Sequence, residues 1–183
     1  MENINIPAIK TIMLEENGLV DFIITKMNSY RSQNLMFSRF VEKSAFIGSG
    51  YQTDNLLLLN DKEFNEAASF LKTVIVENLN LKQKHLSYFF IHMLDYNQGD
   101  EVVEHVHKHC EDLSFILYLN DCDDGETIFY LNDNDQYSRN RSMLKCKPQK
   151  NKLVLFSSSI LHKSMKSFSN KKVLVGGMRF HFN

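Results

Sequence analysis

The sequence lacks the features that mark several large classes of protein. Only three of its 183 residues are cysteines, Cys110, Cys122 and Cys146, and no two of them have C-x-x-C spacing. A disulfide framework and a cysteine-based zinc site are therefore not indicated, and a reducing cytoplasm is the expected location. No stretch approaches about 18 apolar residues, and residues 1–10 lack a basic segment followed by an apolar run. We therefore expect neither membrane insertion nor export.

An excess of charge of one sign is also missing. The chain carries 21 Lys and Arg residues against 22 Asp and Glu residues, a formal net charge of −1. Such a balance gives no general field that would attract nucleic acid, so nucleic acid is not an expected partner. With 43% hydrophobic residues and no repeat or linker, residues 1–183 suit one domain with a substantial core.

Two segments in the first half of the chain predict amphipathic helices. Between residues 15 and 30 the apolar residues recur at helical spacing. A second apolar stripe runs from 64 to 75, and Asn60 or Asp61 can cap the helix that carries it. We expect residues 1–85 to form helical and loop support for the rest of the domain.

From Ser87 onward the pattern changes to short runs of β-branched and aromatic residues, separated by clusters of Asn, Asp, Gly and Ser. The predicted strands are 87–96, 101–107, 113–119, 127–131, 142–146, 153–156 and 173–182. Helices followed by many short strands predict an α+β, mostly β fold. We expect residues 86–183 to form the core of a double-stranded β-helix, or jelly roll, that carries the functional site.

Three histidines form the candidate metal site. In a strand, residues two apart point to the same face, so His105 and His107 would present two imidazoles side by side. An H-x-H pair alone is weak evidence, because a polar strand face explains it equally well. A third ligand must come from elsewhere in the chain, and His162, in the polar loop that follows the apolar run 153–156, is the candidate.

A charged residue near the end of the chain suggests an anion site. Arg179 lies in the apolar run Met178-Arg-Phe-His-Phe182. It would be buried there unless its strand is at an edge, and a buried guanidinium requires an anion. A dicarboxylate could supply that anion.

These segments together resemble a known family, the iron(II) and 2-oxoglutarate-dependent dioxygenases with a prolyl-hydroxylase-like jelly roll. The resemblance is greatest to a His-x-His sub-group seen in phages and marine bacteria, and it covers roughly residues 87–183. The matching segments occur in the family's order: Tyr96-Asn-Gln-Gly99, His105-Val-His107, Leu113 to Asn120, Gly125-Glu-Thr127, Leu153 to Phe156 leading to His162, and Arg179 to Asn183.

The resemblance implies a role for each matching residue. His105 would be the first metal ligand and His162 the distal one, while Arg179 would bind the remote carboxylate of 2-oxoglutarate. Tyr118 occupies a position that often places a hydroxyl on that carboxylate, and Tyr96 matches an aromatic residue of the cosubstrate pocket. For both tyrosines, a purely structural role in the core remains an equal alternative.

The implied activity is hydroxylation of a substrate C–H bond, with release of succinate and CO2. Fe(II) and 2-oxoglutarate would be the cofactors and O2 a cosubstrate, and no catalytic residue is expected beyond the metal centre. The implied substrate is a small molecule or a peptidyl side chain.

One departure from the family concerns the second ligand. The usual triad has His-x-Asp or His-x-Glu, whereas this chain has His107 in the carboxylate position. Three neutral imidazoles leave the ion with its full +2 charge, which a 2-oxoglutarate dianion could offset. His109 and Glu111 are alternative ligands in a second register. The span from His162 to Arg179 is also longer than is usual, and a misaligned arginine would produce the same mismatch.

Two other functions fit part of the pattern. The spacing of Gly99, His105, His107 and Glu111 matches the first motif of cupins, although Tyr118 replaces the glycine expected next. Gly125-Glu-Thr127 and Arg179 have a role in the oxygenase hypothesis and none in the cupin one. A jelly-roll binding module that lost its carboxylate and its chemistry is the third hypothesis.

Overall fold

A computed structural model describes residues 8–38, 46–81, 86–107, 111–131 and 142–181. The helices are α1 (Leu19–Ser32) and α2 (Lys62–Asn78), and a 3-10 turn covers Leu56–Leu58. The strands in the described ranges are β1 (Ile9–Met13), β2 (Met36–Ser38), β3 (Phe46–Ile47), β4 (Tyr51–Thr53), β5 (Leu86–Tyr96), β6 (Glu101–His105), β7 (Leu113–Tyr118), β8 (Thr127–Tyr130), β9 (Met143–Cys146), β10 (Lys152–Ser157), β11 (His162–Ser164) and β12 (Lys171–Phe180).

The strands form two antiparallel sheets. The larger sheet has the order β1-β10-β7-β12-β5-β4-β2, and the smaller has the order β3-β6-β11-β8-β9. The sheets face each other, and the apolar cluster between them includes Ile116, Phe129, Phe156 and Val173 from four different strands. This is the predicted mostly β jelly roll, so the expected fold class is confirmed.

Both helices cover the outer face of the larger sheet. Their buried residues, which include Ile23, Met27, Phe64 and Ile75, belong to the same apolar cluster as residues of β5, β7, β10 and β12. α2 begins where predicted, because the Asp61 carboxylate accepts a hydrogen bond of 3.0 Å from the Phe64 amide. The helices thus protect one face of the sheet and leave its other face for the interior.

Strand β7 packs against the helices with one face and against the smaller sheet with the other. Its residues are all buried, and the odd-numbered ones, such as Phe115, pack toward the helices. The even-numbered Ile116 and Tyr118 face the smaller sheet. Because successive side chains in a strand alternate between faces, a central strand covered on both sides is apolar throughout.

The N-terminal part contributes more than the expected helical and loop support. β1, β2 and β4 join the larger sheet and β3 joins the smaller one, so four strands come from residues 1–85. These strands are two to five residues long and were not predicted, and neither was β11. Short strands lack enough alternation to be recognised without their partners. No helix in the described ranges is long and apolar enough to cross a membrane.

Candidate metal centre

The smaller sheet brings the three predicted histidines together. His105 ends β6 and His162 begins β11, and the two residues are direct partners across this antiparallel pair. His107 follows two residues after His105. The ring centroids of His105 and His162 are 4.2 Å apart, and those of His107 lie 4.8 and 5.3 Å from them. One ring nitrogen of each histidine lies within 4.8 Å of the other two.

Backbone carbonyls orient two of the three rings. The Nδ1 atom of His105 lies 2.8 Å from the Val103 carbonyl oxygen, and that of His162 lies 2.9 Å from the Ile160 carbonyl oxygen. A carbonyl only accepts hydrogen bonds, so Nδ1 carries the proton in both rings. The lone pair is therefore on Nε2, the tautomer that a metal ligand requires.

The surroundings of the histidines favour their neutral forms. Burial, together with the charge of a protonated His105, lowers the pKa of His107 to about 4. The same two causes, in the same order, lower the pKa of His162 to about 3, and burial also lowers the pKa of His105. Neutral imidazoles at ordinary pH are the form that binds a divalent ion.

Glu111 lies beside this group, next to the Nδ1 atom of His107. Its Oε1 atom is 3.5 Å from His107 Nδ1, and its side chain is 0% exposed. Burial raises the pKa of Glu111 to about 7, although a hydrogen bond from Ser114 and the charge of Arg179 oppose the shift. Glu111 is not a member of the three-histidine group. His109, the other alternative ligand, lies outside the described residues.

The histidines border a cavity of about 250 Å³ between the sheets. Lys171, at the start of β12, also lines it and is only 1% exposed. Its ammonium group donates a hydrogen bond of 2.9 Å to the Gly125 carbonyl oxygen and another to Ser164 Oγ, and it lies 4.1 Å from the centre of the Tyr96 ring. Burial lowers the pKa of Lys171 to about 8. The cavity therefore contains a buried cation.

The two predicted tyrosines line the same cavity. Tyr118 is fully buried, and its hydroxyl lies 2.7 Å from Thr127 Oγ1. Burial raises the pKa of Tyr118 well above its usual value, so the phenol stays protonated. Tyr96 is the direct strand partner of Lys171, whose ammonium group lies over its ring. These residues together form a polar region at a distance from the histidines, suited to an anionic oxygen.

Arg179 does not lie in this cavity. Its side chain is exposed and its guanidinium group lies 4.2 Å from the centre of the Phe89 ring. The expectation that an arginine in this apolar run is buried is therefore wrong. Met178 and Phe180 face the helices, so the intervening Arg179 faces the opposite side of the sheet, near the end of β12. Phe182, the last residue of the predicted strand, lies outside the described residues.

Residues 91–179 match the family model of the 2OG-Fe(II) oxygenase superfamily. This match supports the expected resemblance to the oxygenases. The match spans β5 to β12, and the region includes all three histidines and Lys171. It favours the oxygenase hypothesis over the cupin one and over a module without chemistry. The family's enzymes are non-haem dioxygenases, and their cofactors are Fe(II) and 2-oxoglutarate.

Solved structures of the family share the fold. A Pseudomonas putida prolyl-4-hydroxylase aligns with a TM-score of 0.69 at 16% identity, covering 96% of this chain and 94% of that one. A Trichoplax adhaerens prolyl hydroxylase in complex with a hypoxia inducible factor peptide fragment aligns with a TM-score of 0.67 at 15% identity. The alignment covers 94% of this chain and 83% of that one. The epimerase SnoN of nogalamycin biosynthesis, in complex with Fe3+ and alpha ketoglutarate, aligns with a TM-score of 0.70 at 11% identity. The alignment covers 94% of this chain and 78% of that one. No curated protein sequence matches the chain.

The donors in this oxygenase fit its family's cofactors. Three neutral imidazole nitrogens converge on one point, and nitrogen donors suit Fe(II). Lys171 offers the cation that a dicarboxylate requires. The sequence interpretation missed this residue, because it lies just before the predicted strand 173–182. A period-two pattern from Lys171 through Val173 and Val175, all on the cavity face, could have revealed it.

Proposed function

We propose that this oxygenase is a hydroxylase whose iron(II) is held by His105, His107 and His162 and whose 2-oxoglutarate is held by Lys171. The observation that carries the proposal is the position of a buried ammonium group in the cavity that the three histidines border. Iron(II) with bound 2-oxoglutarate and dioxygen supplies the oxidation of a substrate C–H bond, with release of succinate and CO2.

The chain's own residues would orient 2-oxoglutarate by its two ends. The keto-acid end belongs at the histidines, because it is the end that chelates a metal. The remote carboxylate belongs at Lys171, where an ammonium group and the hydroxyls of Tyr118 and Thr127 line the cavity. In this assignment, Lys171 takes the role that the sequence resemblance gave to Arg179.

Apolar side chains would keep water away from the reacting atoms. Phe156 and Phe129 pack on the His162 ring, with centroid separations of 4.7 and 5.9 Å. Val173 and Ile116 line the same cavity. In such an environment, the ionic contacts to 2-oxoglutarate are stronger than they would be in water.

The size of the cavity limits the substrate. At about 250 Å³ it is smaller than the range of roughly 300–1,000 Å³ that is usual for pockets enclosing a whole ligand. A substrate that inserts one narrow group beside 2-oxoglutarate fits better than one that is engulfed. We therefore propose a peptidyl side chain or an extended small molecule as substrate. The prolyl hydroxylases among the structural neighbours favour the peptidyl alternative.

The test is anaerobic reconstitution with Fe(II), with and without 2-oxoglutarate, followed by measurement of succinate after air is admitted. Wild-type protein should bind Fe(II) and form succinate slowly even without substrate. His162→Ala should reduce both by at least about 100-fold, since loss of a ligand costs more than loss of a residue behind it. His181→Ala is the matched control, because His181 is exposed and contacts Ser87.

Failure of wild-type protein to bind Fe(II) would refute the assigned metal centre. Normal binding without any succinate would refute the assigned activity. If His162→Ala behaved like His181→Ala, the three histidines would not be the ligands.

A further inference from the structure

Glu111 is a buried carboxylate with an unusual set of neighbours. Its Oε1 atom accepts a hydrogen bond of 2.5 Å from Ser114 Oγ and lies 3.5 Å from His107 Nδ1. Its Oε2 atom is buried and has no hydrogen-bond partner among the described residues. A carboxylate in this state is costly to keep ionised unless a positive charge lies nearby.

The position of Glu111 completes a pattern in the three histidines. His105 and His162 each direct Nδ1 to a backbone carbonyl oxygen, which leaves Nε2 for a metal. The Nδ1 atom of His107 instead lies 3.5 Å from Glu111 Oε1, longer than a hydrogen bond. His107 is therefore the ligand whose outer nitrogen faces a charged group, and it is also the one that replaces the usual carboxylate.

The backbone of β12 makes room for this carboxylate. A side chain on Gly177 would place its Cβ 1.6 Å from Glu111 Oε2 and 2.6 Å from Phe90 Cε1. Glycine at this position thus allows the carboxyl group to lie against the strand. Glu111 lines the cavity, but its side chain is 0% exposed and therefore shielded from bulk solvent.

The net charge of the loaded centre supports a role in metal binding. A divalent ion with two histidines and one carboxylate has a net charge of +1. With three histidines it keeps +2, and an ionised Glu111 behind His107 restores +1. A carboxylate that accepts a hydrogen bond from a ligating histidine also fixes the ring and makes its other nitrogen a stronger donor.

We propose that Glu111 is a positioning residue that holds His107 by its Nδ1–H and supplies, from behind the ligand, the negative charge that the family's carboxylate supplies on the metal. The inference rests on the proposed function, since it requires a metal at the three histidines. It differs from the alternative in which Glu111 itself is a ligand. In the loaded centre, the Nδ1–Oε1 distance should shorten to that of a hydrogen bond.

The test measures the affinity of the protein for Co(II) alone, by competition with a chelator, without any turnover. Glu111→Gln keeps the shape of the side chain and removes its charge, and it should raise the dissociation constant by about 10- to 100-fold. The matched control is Glu104→Gln on β6, since Glu104 contacts Tyr130 and Lys163. It should change the constant by less than about twofold. Thermal unfolding of the metal-free proteins should show that both variants fold.

A second pair of variants separates this role from a structural one. His107→Asp returns a carboxylate to the metal, so Glu111 would then face a like charge and no longer be needed. In the His107→Asp background, Glu111→Gln should leave Co(II) affinity unchanged or improve it. If Glu111 had only a structural role, Glu111→Gln would raise the Co(II) dissociation constant by the same factor in both backgrounds. That result would overturn the proposal.

Gly177→Ala gives an independent measurement, because its Cβ would push the Glu111 carboxyl group away without changing any charge. It should also weaken Co(II) binding. If wild-type protein bound Co(II) and all the Glu111 and Gly177 variants bound it equally well, the inference would be wrong and the metal centre would stand. If wild-type protein did not bind Co(II), the proposed function would fail first.

Discussion

Lys171→Met is the substitution that best tests how the cavity binds 2-oxoglutarate. The methionine is similar in length and apolarity to the lysine stem but removes the ammonium group. Lys171 is 1% exposed, so water cannot easily replace its charge when it is lost. Truncating one partner of a buried charged pair costs about 2–5 kcal/mol.

The structure favours the lower part of that range. The hydroxyls of Tyr118 and Thr127 also line the cavity and would still hydrogen-bond the carboxylate after the substitution. With a loss of about 2–3 kcal/mol, and tenfold in affinity for every 1.4 kcal/mol, the dissociation constant for 2-oxoglutarate should rise roughly 30- to 150-fold. Fe(II) affinity should change little, because the ammonium group of Lys171 contacts Gly125, Ser164 and Tyr96 rather than a metal ligand.

The assay is anaerobic titration of 2-oxoglutarate into the Fe(II)-loaded protein. Arg179→Met is the matched control, since this exposed arginine lies over Phe89 and outside the cavity. It should shift the dissociation constant by less than about threefold, the effect expected of a solvent-screened charge. The reasoning is refuted if Arg179→Met weakens 2-oxoglutarate binding as much as Lys171→Met does.

Two further predictions concern pH and stability. Because burial lowers the pKa of Lys171 to about 8 from 10.5, binding of 2-oxoglutarate by wild-type protein should weaken above about pH 8, by up to tenfold per pH unit, whereas Lys171→Arg should bind it with no such loss. Between about pH 8 and 10.5 Lys171 is protonated in the unfolded chain and largely neutral in the folded one. The ligand-free protein should therefore become more stable as the pH rises through this range, which urea unfolding can measure. Asp61→Ala removes the cap of α2 and should lower the free energy of unfolding by about 1–2 kcal/mol at pH 7. Burial alone would raise the pKa of Asp61, but hydrogen bonds from Lys26, Phe64 and Tyr30 lower it to about 2 from 3.8. The difference in unfolding free energy between wild type and Asp61→Ala should therefore be full above about pH 4 and should shrink as the pH falls toward about 2. A difference that stays the same over this range would contradict the prediction.

The sequence predicted the jelly roll and the segments that approach one another at the site. His105, His107 and His162 could be selected because an alternating strand, a loop and a third histidine limit the ways to surround an ion. The structure brings them together, and their role as ligands stays a prediction until metal binding is measured. Tyr96 and Tyr118 were selected through the family resemblance, and both line the cavity.

The sequence could not distinguish Lys171 from Arg179 as the candidate partner of the remote carboxylate, and the reason is physical. Both lie in β12 on the same face of the strand, and the sequence shows neither where the cavity ends nor which residue the smaller sheet covers. Lys171 lies opposite Tyr96, deep between the sheets, whereas Arg179 lies opposite Ser87. That pairing register depends on contacts between distant parts of the chain. The role of Glu111 was hidden for the same reason, because it requires the bare backbone of Gly177.

The pairing of His105 with His162 has a consequence for the stability of the smaller sheet. A metal bound by these residues links β6 directly to β11, whose remaining register is interrupted by an irregularity between His162 and Ser164. The ion would act as a cross-link that closes a long loop of the chain, as a disulfide does in secreted proteins. In a domain whose described cysteines, Cys122 and Cys146, are both free thiols, a bound metal would therefore stabilise the fold as well as take part in the reaction.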